Sequence, residues 1–315
     1  MNLLIGAATI GLILALLSLG IFISYRIYHV LDLTADGSFG LGAAVVAALL
    51  VREIHPLPAT AIGAMAGVMA GAITGILHTR FLVSALLAGV LTSTALYSVS
   101  LFVMGSGNLS LTSAESLVTM AERLGQNLLG LPPSLTLFDT TVSGGSVATL
   151  VFMALLAVGL ALALAAFLAT DLGLAMRSAG DNPQMAKALS IEVDRMVVLG
   201  LGLSNGLIAL AGALFAKYEG FANIQMGIGT LVAGLAYLMV GEALLGRRSM
   251  WRWIAGAVAG TVVFRLLVAA AVRAGLNPNA LKLVTSLFVL AVLVLPHVVR
   301  RAGRKSPAEA APSHA

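Results

Sequence analysis

Ser178-Ala179-Gly180-Asp181-Asn182-Pro183-Gln184-Met185-Ala186-Lys187-Ala188-Leu189-Ser190-Ile191 interrupts two bilayer-length apolar stretches, 146–170 and 196–216, with a short polar segment. Asn182 is a good N-cap. Pro183 at the first helical position gives up no hydrogen bond, because its missing N–H would be an orphan there in any case. Met185, Ala188 and Leu189 then fall at i, i+3 and i+4, a narrow apolar face on a helix too short to be stable alone. If a soluble partner completes that face, the segment is a coupling helix. The plain alternative is an interfacial turn whose face rests on lipid or on the ends of neighbouring helices.

Outward from this segment, composition sets the class. Hydrophobic residues make up 59% of the chain and charged residues only 10%, against roughly one-quarter charged in soluble domains. This is an integral membrane protein. Its 18 Lys plus Arg against 13 Asp plus Glu sit beside the apolar stretches without a basic stripe of interleaved aromatics, which excludes nucleic acid and fits positive loops facing the cytoplasm. The absence of cysteine excludes disulfides and thiolate metal sites. The first apolar stretch lacks a basic n-region and a small-residue cleavage site, and is read as a retained span.

A helix needs about twenty apolar residues to cross a bilayer, and about nine stretches approach that length: 3–24, 33–51, 57–77, 82–104, 146–170, 196–216, 224–245, 253–273 and 280–297. The fold class is all-α, a polytopic transmembrane helical bundle, because no alternating strand pattern is visible and open sheets cannot satisfy their backbone in lipid. The second stretch, with Gly37, Gly40 and Gly42 flanked by Asp32 and Asp36, either spans like the others or is broken or re-entrant among them, in which case the N-terminus moves to the cytoplasmic side. The organisation is a single transmembrane domain over 1–300 with its cytoplasmic loop at 171–195, then a basic, disordered tail over 301–315. Arg177, Lys187 and Arg195, then Arg247, Arg248 and Arg252, then Arg300, Arg301, Arg304 and Lys305 place the 171–195 loop, the 247–252 loop and the tail in the cytoplasm. The 105–145 connection and the N-terminus then lie outside. In that connection Leu117, Ala121, Leu124 and Leu128 have helical spacing, which predicts a surface helix or, equally, a loose loop. Gly63, Gly67, Gly71 and Gly75 repeat every four residues on the third stretch and predict close approach of another helix.

Catalytic constellations are scarce. His29, His55, His78, His297 and His314 form no pair at metal-ligand spacing, so no metal site is expected. Gly37-Ser38-Phe39-Gly40 lacks the spacing of a nucleophile turn, and Gly303-Arg304-Lys305-Ser306 lacks the upstream loop of a phosphate-binding motif. The chain is not expected to be an enzyme or to bind a cofactor. Intramembrane charges are the better candidates. Arg265 lies roughly 18 Å along the helix from Trp253, where an arginine costs at least roughly 2.5 kcal/mol on insertion scales. It faces either a translocation pathway or a structural partner, with Glu242 the acidic candidate. Asp32, Thr34 and Asp36 are read as helix-capping groups at the start of the second stretch, with Asp32 and Asp36 also candidates for the pathway alongside Ser38 and Glu242.

Leu31-Asp32-Leu33-Thr34-Ala35-Asp36-Gly37-Ser38-Phe39 resembles the Asp-Leu-Ser/Thr-x-x-Gly-Ser stretch of permease subunits in ABC importers of the branched-chain amino acid and ribose type. Met176 to Arg195 resembles the cytoplasmic coupling loop of that family, and Gly206 to Leu214 the Gly/Ala-rich span that follows it. Gly227 to Ala236 and Gly241-Glu242 resemble the span before the last cytoplasmic loop. Within the family the chain is most similar to permeases associated with tryptophan- or tyrosine-type binding proteins. Charged Glu242 and Arg265 depart from the neutral sugar permeases. The resemblance implies a multi-pass subunit of the bacterial inner membrane importing a small solute, an amino acid or related carboxylate. It also implies a second permease copy, a homodimer in preference to a heterodimer. Cytoplasmic ABC ATPase subunits would carry ATP and Mg, and an extracytoplasmic binding protein would deliver the solute. A secondary transporter or channel working without an ATPase is the competing class, although no inverted repeat supports it; a membrane scaffold is a third.

Overall fold

A computed structural model describes residues 2–111, 117–129, 134–137, 140–246 and 249–275, with positions 280, 283, 286, 287 and 290 beyond them. Eleven α-helices run through these residues: α1 Asn2–Ile21, α2 Thr34–Val51, α3 Pro56–Thr79, α4 Ala85–Met104, α5 Leu117–Leu129, α6 Gly144–Phe167, α7 Asp171–Asp181, α8 Pro183–Ala188, α9 Val193–Glu219, α10 Thr230–Leu245 and α11 Met250–Arg273. A π-helical turn, Phe22–Ile27, continues α1. Seven of the helices, α1 with its π turn, α2, α3, α4, α6, α9 and α11, are long and apolar enough to span a membrane. The only strands among the described residues are short. β1 Asn108–Ser110 and β4 Phe221–Asn223 pair antiparallel with Leu109 opposite Ala222, and β2 Ser134–Leu137 pairs with β3 Thr140–Ser143.

The long helix α9 is the centre of the bundle, and α1, α2 and α3 all pack on it. The glycine row of α3 explains the tightest of these interfaces. A Cβ built at Gly75 would fall 2.8 Å from Cα of Val198, and at Gly67 and Gly71 it would collide with the carbonyls of Asn205 and Leu201. Without side chains in the seam, two backbones reach van der Waals contact, which is how helices associate when lipid removes the hydrophobic drive between them. A second small-residue seam joins α10 to α11, where Gly241 lies against Gly256 and Gly260 against Tyr237. The main core fills the space between, with Phe22, Leu16, Leu19, Met153, Ile208 and Leu214 all buried.

Contacts at the helix ends set the direction of each helix. Gly6 of α1 meets Tyr218 of α9 at one end, where β1 and β4 also pair. Tyr28, Met196 and Gly180 meet at the other end, with the α7–α8 loop. The start of α1 and β1 of the 105–143 connection therefore share an end, opposite the 171–195 loop, as the charge distribution predicts. The helix expected in that connection is present as α5, which packs on α6 and buries Ala121 while Leu124 stays exposed.

One stretch resolves an open alternative and another differs from expectation. The second, for which a break is the alternative to a span, is the uninterrupted helix α2. The seventh, 224–245, is the interrupted one, because only Thr230–Leu245 is helical and 221–229 is strand and turn. Hydropathy could not separate them, since Phe221, Ala222, Ile224, Met226 and Ile228 are apolar without being helical. The ninth stretch, apart from its isolated described positions, and the 301–315 tail lie outside the described residues.

Candidate functional site

The 171–195 loop folds as a helical hairpin. Asn182 is the N-cap of α8, accepting from Met185 N at 3.0 Å, with Pro183 at the first helical position. Ala186 turns inward onto Ala179 and Val193. Met185 and Leu189 point outward, 61% and 62% exposed, with Ala188 exposed between them. Two large apolar side chains thus stand exposed on a helix end that nothing else among the described residues covers.

Asp32 and Ser38 are brought together inside the bundle by Asn205. The Asp32 carboxylate, 1% exposed, accepts from Thr34 N at 2.9 Å, capping α2, and from Asn205 Nδ2 at 2.7 Å. Ser38 Oγ donates to Asn205 Oδ1 at 2.7 Å, and Thr34 and Thr74 hydroxyls share a bond of 2.8 Å that adds α3. Asn205 lies roughly 18 Å along α9, so this lock sits near mid-bundle. Buried polar groups there are tolerable because every one has a partner.

Asp36 does something the sequence does not announce. It sits in the first turn of α2, yet its carboxylate accepts from Gly229 N at 2.9 Å, Leu231 N at 2.8 Å and Thr230 Oγ1 at 2.9 Å. It is therefore the N-cap of α10, supplied from another helix. Because Asp36 lies close to the level of the Asn205 lock, α10 begins inside the bundle. At sixteen residues it is about 24 Å long, less than a hydrocarbon core. A helix that starts at mid-depth behind an irregular entry segment is tolerated where it is buried in protein or lines a cavity.

Such a cavity is present, with a volume of about 350 Å³, between Leu14 of α1, Phe39 of α2, Phe215 of α9, Thr230 and Tyr237 of α10, and Arg265 of α11. Nε of Arg265 is buried with no hydrogen-bond partner among the described residues. Glu242, the acidic candidate for Arg265, is engaged elsewhere: it pairs with Arg26 at the end of α1 and does not line this cavity. Arg265 thus lines a chamber whose wall includes Phe39, Phe215 and Tyr237. The chamber suits a solute with a carboxylate and an apolar or aromatic body.

Arg26 and Asn205 were missed in the sequence. Arg26 sits at the end of an apolar stretch, where a basic residue looks interfacial. Asn205 is a single amide inside a Gly/Leu run, and its position within a span was the available signal. Among the described residues no group of His, Asp or Glu is arranged to hold a metal.

The family described as branched-chain amino acid transport system, permease component, matches residues 3–295. A tyrosine transport system permease protein of Clostridioides difficile (strain R20291) is 36% identical over 289 residues, covering 92% of this chain and 90% of the relative. An uncharacterized protein of Rickettsia prowazekii (strain Madrid E) is 31% identical over 288 residues, covering 90% and 94%. The autoinducer 2 import system permease protein LsrC of Yersinia pseudotuberculosis (serotype O:1b, strain IP 31758) is 27% identical over 261 residues, covering 82% of this chain and 63% of the relative. No solved structure matches the chain. A match along nearly the whole chain, with two relatives aligned over nine-tenths of it, leaves one conclusion: the chain belongs to the family of branched-chain amino acid transport permeases.

Proposed function

We propose that this permease component is the membrane subunit of an ATP-driven importer that carries an amino acid or similar carboxylate, with an apolar or aromatic side chain, into the bacterial cytoplasm. The observation that carries this reading is Arg265, which lines a chamber of about 350 Å³ and whose buried Nε has no hydrogen-bond partner among the described residues. A guanidinium at that depth is costly unless water, an acid or an anionic ligand satisfies it, and it binds a carboxylate through two parallel bonds. Phe39, Phe215 and Tyr237 would receive the side chain. Tyrosine, named for the Clostridioides difficile relative, has the size and chemistry the chamber accepts.

The exposed Met185 and Leu189 on the capped α8 supply an apolar anchor for a cytoplasmic ATPase subunit, which would carry ATP and Mg. An extracytoplasmic binding protein would hold the solute tightly, leaving Arg265 to bind it weakly and release it. A second copy of this chain completes the membrane assembly. The test is uptake of radiolabelled tyrosine by the assembled importer in vesicles. Arg265→Gln should lower uptake by at least about tenfold with assembly intact, and Arg265→Lys should restore only part, because the fork geometry is lost. Normal uptake by Arg265→Gln would remove the support for a carboxylate path, and uptake that needs no ATPase would favour a secondary transporter.

A further inference from the structure

The π-helical turn Phe22–Ile27 is gripped from two sides. On the side of the 171–195 loop, the Ile27 carbonyl lies directly against Gly180 of α7, where any Cβ would collide with it. The Tyr28 ring fills the space in front of Gly200 of α9, and its hydroxyl donates to the Met196 carbonyl. On the side of the α10–α11 hairpin, Arg26 is paired with Glu242 of α10, and Phe22 meets Trp253 of α11 edge to face at 6.0 Å between centroids.

This arrangement leaves little slack. Backbone pressed on glycine has no side chain between to absorb a shift, and packed interiors transmit displacement rather than damp it. The π turn itself, with Tyr28 N bonded to Ile23 O at 3.3 Å, is a wide turn of the kind that recurs at functional sites. Its charged joint to α10 is nearly buried, with 18% and 4% of the two side chains exposed, so separating the pair would take from the Arg26 guanidinium the carboxylate it is bonded to. The far end of α10 carries Thr230 and Ala233 on the cavity wall, under the Asp36 cap.

We infer that the π turn is the relay between the 171–195 loop and the solute chamber, with the Arg26–Glu242 pair as its joint and α10 as the rod that reaches the chamber. When an ATPase subunit shifts α7 and α8, the turn draws Glu242 with it, and α10 changes the cavity wall at its other end. Arg26 and Glu242 are thus positioning residues that touch no solute. The inference rests on the importer reading above.

The test uses the complete complex with its ATPase subunits and a single reporter, Ala233→Cys, in the cysteine-free chain. The rate of reaction with a maleimide is compared between nucleotide-free and vanadate-trapped complexes. With Arg26 and Glu242 intact, the two rates should differ by about tenfold, the range of ordinary coupling between sites. In Arg26→Gln/Glu242→Gln, which removes both charges of the pair, the two rates should converge while basal ATP hydrolysis persists. Glu242→Asp keeps both charges but withdraws the carboxylate by one methylene, and serves as a second variant that preserves the fold; it should lose at least half of the difference. A full difference in either variant overturns the relay, and so does equality of the two rates with the pair intact. Failure of any ATPase subunit to associate with the unaltered chain would instead refute the importer reading.

Discussion

Removing the Asp36 carboxylate should unfasten the upper end of α10. The carboxylate holds two backbone N–H groups and one hydroxyl, at 2.8 to 2.9 Å. A hydrogen bond to a charged acceptor contributes about 1.5 to 3 kcal/mol net, and a carboxylate at a helix N-terminus adds about 0.3 to 1 kcal/mol. Asp36 is partly exposed beside a recess of about 120 Å³, so water replaces some of the loss. Asp36→Asn keeps one acceptor oxygen and should cost about 2 kcal/mol, whereas Asp36→Ala frees both N–H groups and should cost about 3 kcal/mol. The assay is reversible unfolding in mixed detergent micelles, with amide hydrogen exchange followed at residues 229–233. Exchange should accelerate there first, because the cap is lost locally before the bundle opens. Unchanged protection at 229–233 in Asp36→Ala, together with a stability loss below about 0.5 kcal/mol, would refute the cap as the device that starts α10 at mid-depth.

Met185→Glu/Leu189→Glu should leave the chain inserted and folded, because both side chains are already exposed, but abolish co-purification with an ATPase subunit, since two buried anchors become desolvated charges; retained co-purification would remove α8 as the docking element. Gly71→Ala should cost about 2 kcal/mol or more by forcing α3 off the Leu201 carbonyl, while Gly159→Ala on α6, where a Cβ meets nothing within 4 Å, should leave the melting temperature in detergent unchanged. Lys217, only 4% exposed, bonds Thr60 Oγ1 and the Pro56 carbonyl and pairs with no carboxylate among the described residues. Lys217→Met should therefore stay within about 1 kcal/mol of the native stability or exceed it, as replacing a buried charge by an apolar group of similar length often does, and a thermal melt checks this.

The spans were legible because lipid imposes one rule on every helix: an apolar length of about twenty residues with its backbone satisfied internally. The glycine row at 63, 67, 71 and 75 was legible for a local reason, since four-residue spacing fixes a face whatever lies opposite; that α9 lies opposite was not. Asn182 and Pro183 were legible because a helix cap is made within a few residues. Asp36 was misplaced by the same reasoning. A cap reads as local in a sequence, whereas this one closes a helix 193 residues away, and no periodicity reports a partner at that distance. The short α10 escaped because apolar content was counted without asking where the helix starts. The glycines at 227 and 229 mark that start, and Gly229 takes the left-handed conformation, φ 85°, immediately before Thr230.

The charges at bilayer depth sort by what satisfies them, and the sorting bears on transport. Asp32 is held by Thr34 and Asn205, Asp36 by the α10 terminus, Glu242 by Arg26, and Lys217 by the end of α3. Each of these sits between two elements and makes them move as one, a structural use that repays desolvation with fixed partners. Arg265 differs: it lines the cavity, and its buried Nε has no hydrogen-bond partner among the described residues. Had Glu242 neutralised Arg265, the chamber would carry no net attraction for an anion. With Glu242 drawn to the π turn instead, the proposed function leaves the guanidinium its bonding capacity for a passing carboxylate, and the proposed relay makes the residue that would have quenched it the joint between the 171–195 loop and the chamber. On that proposal, a solute bound by one such group leaves readily, which a subunit that must release its cargo on every cycle requires.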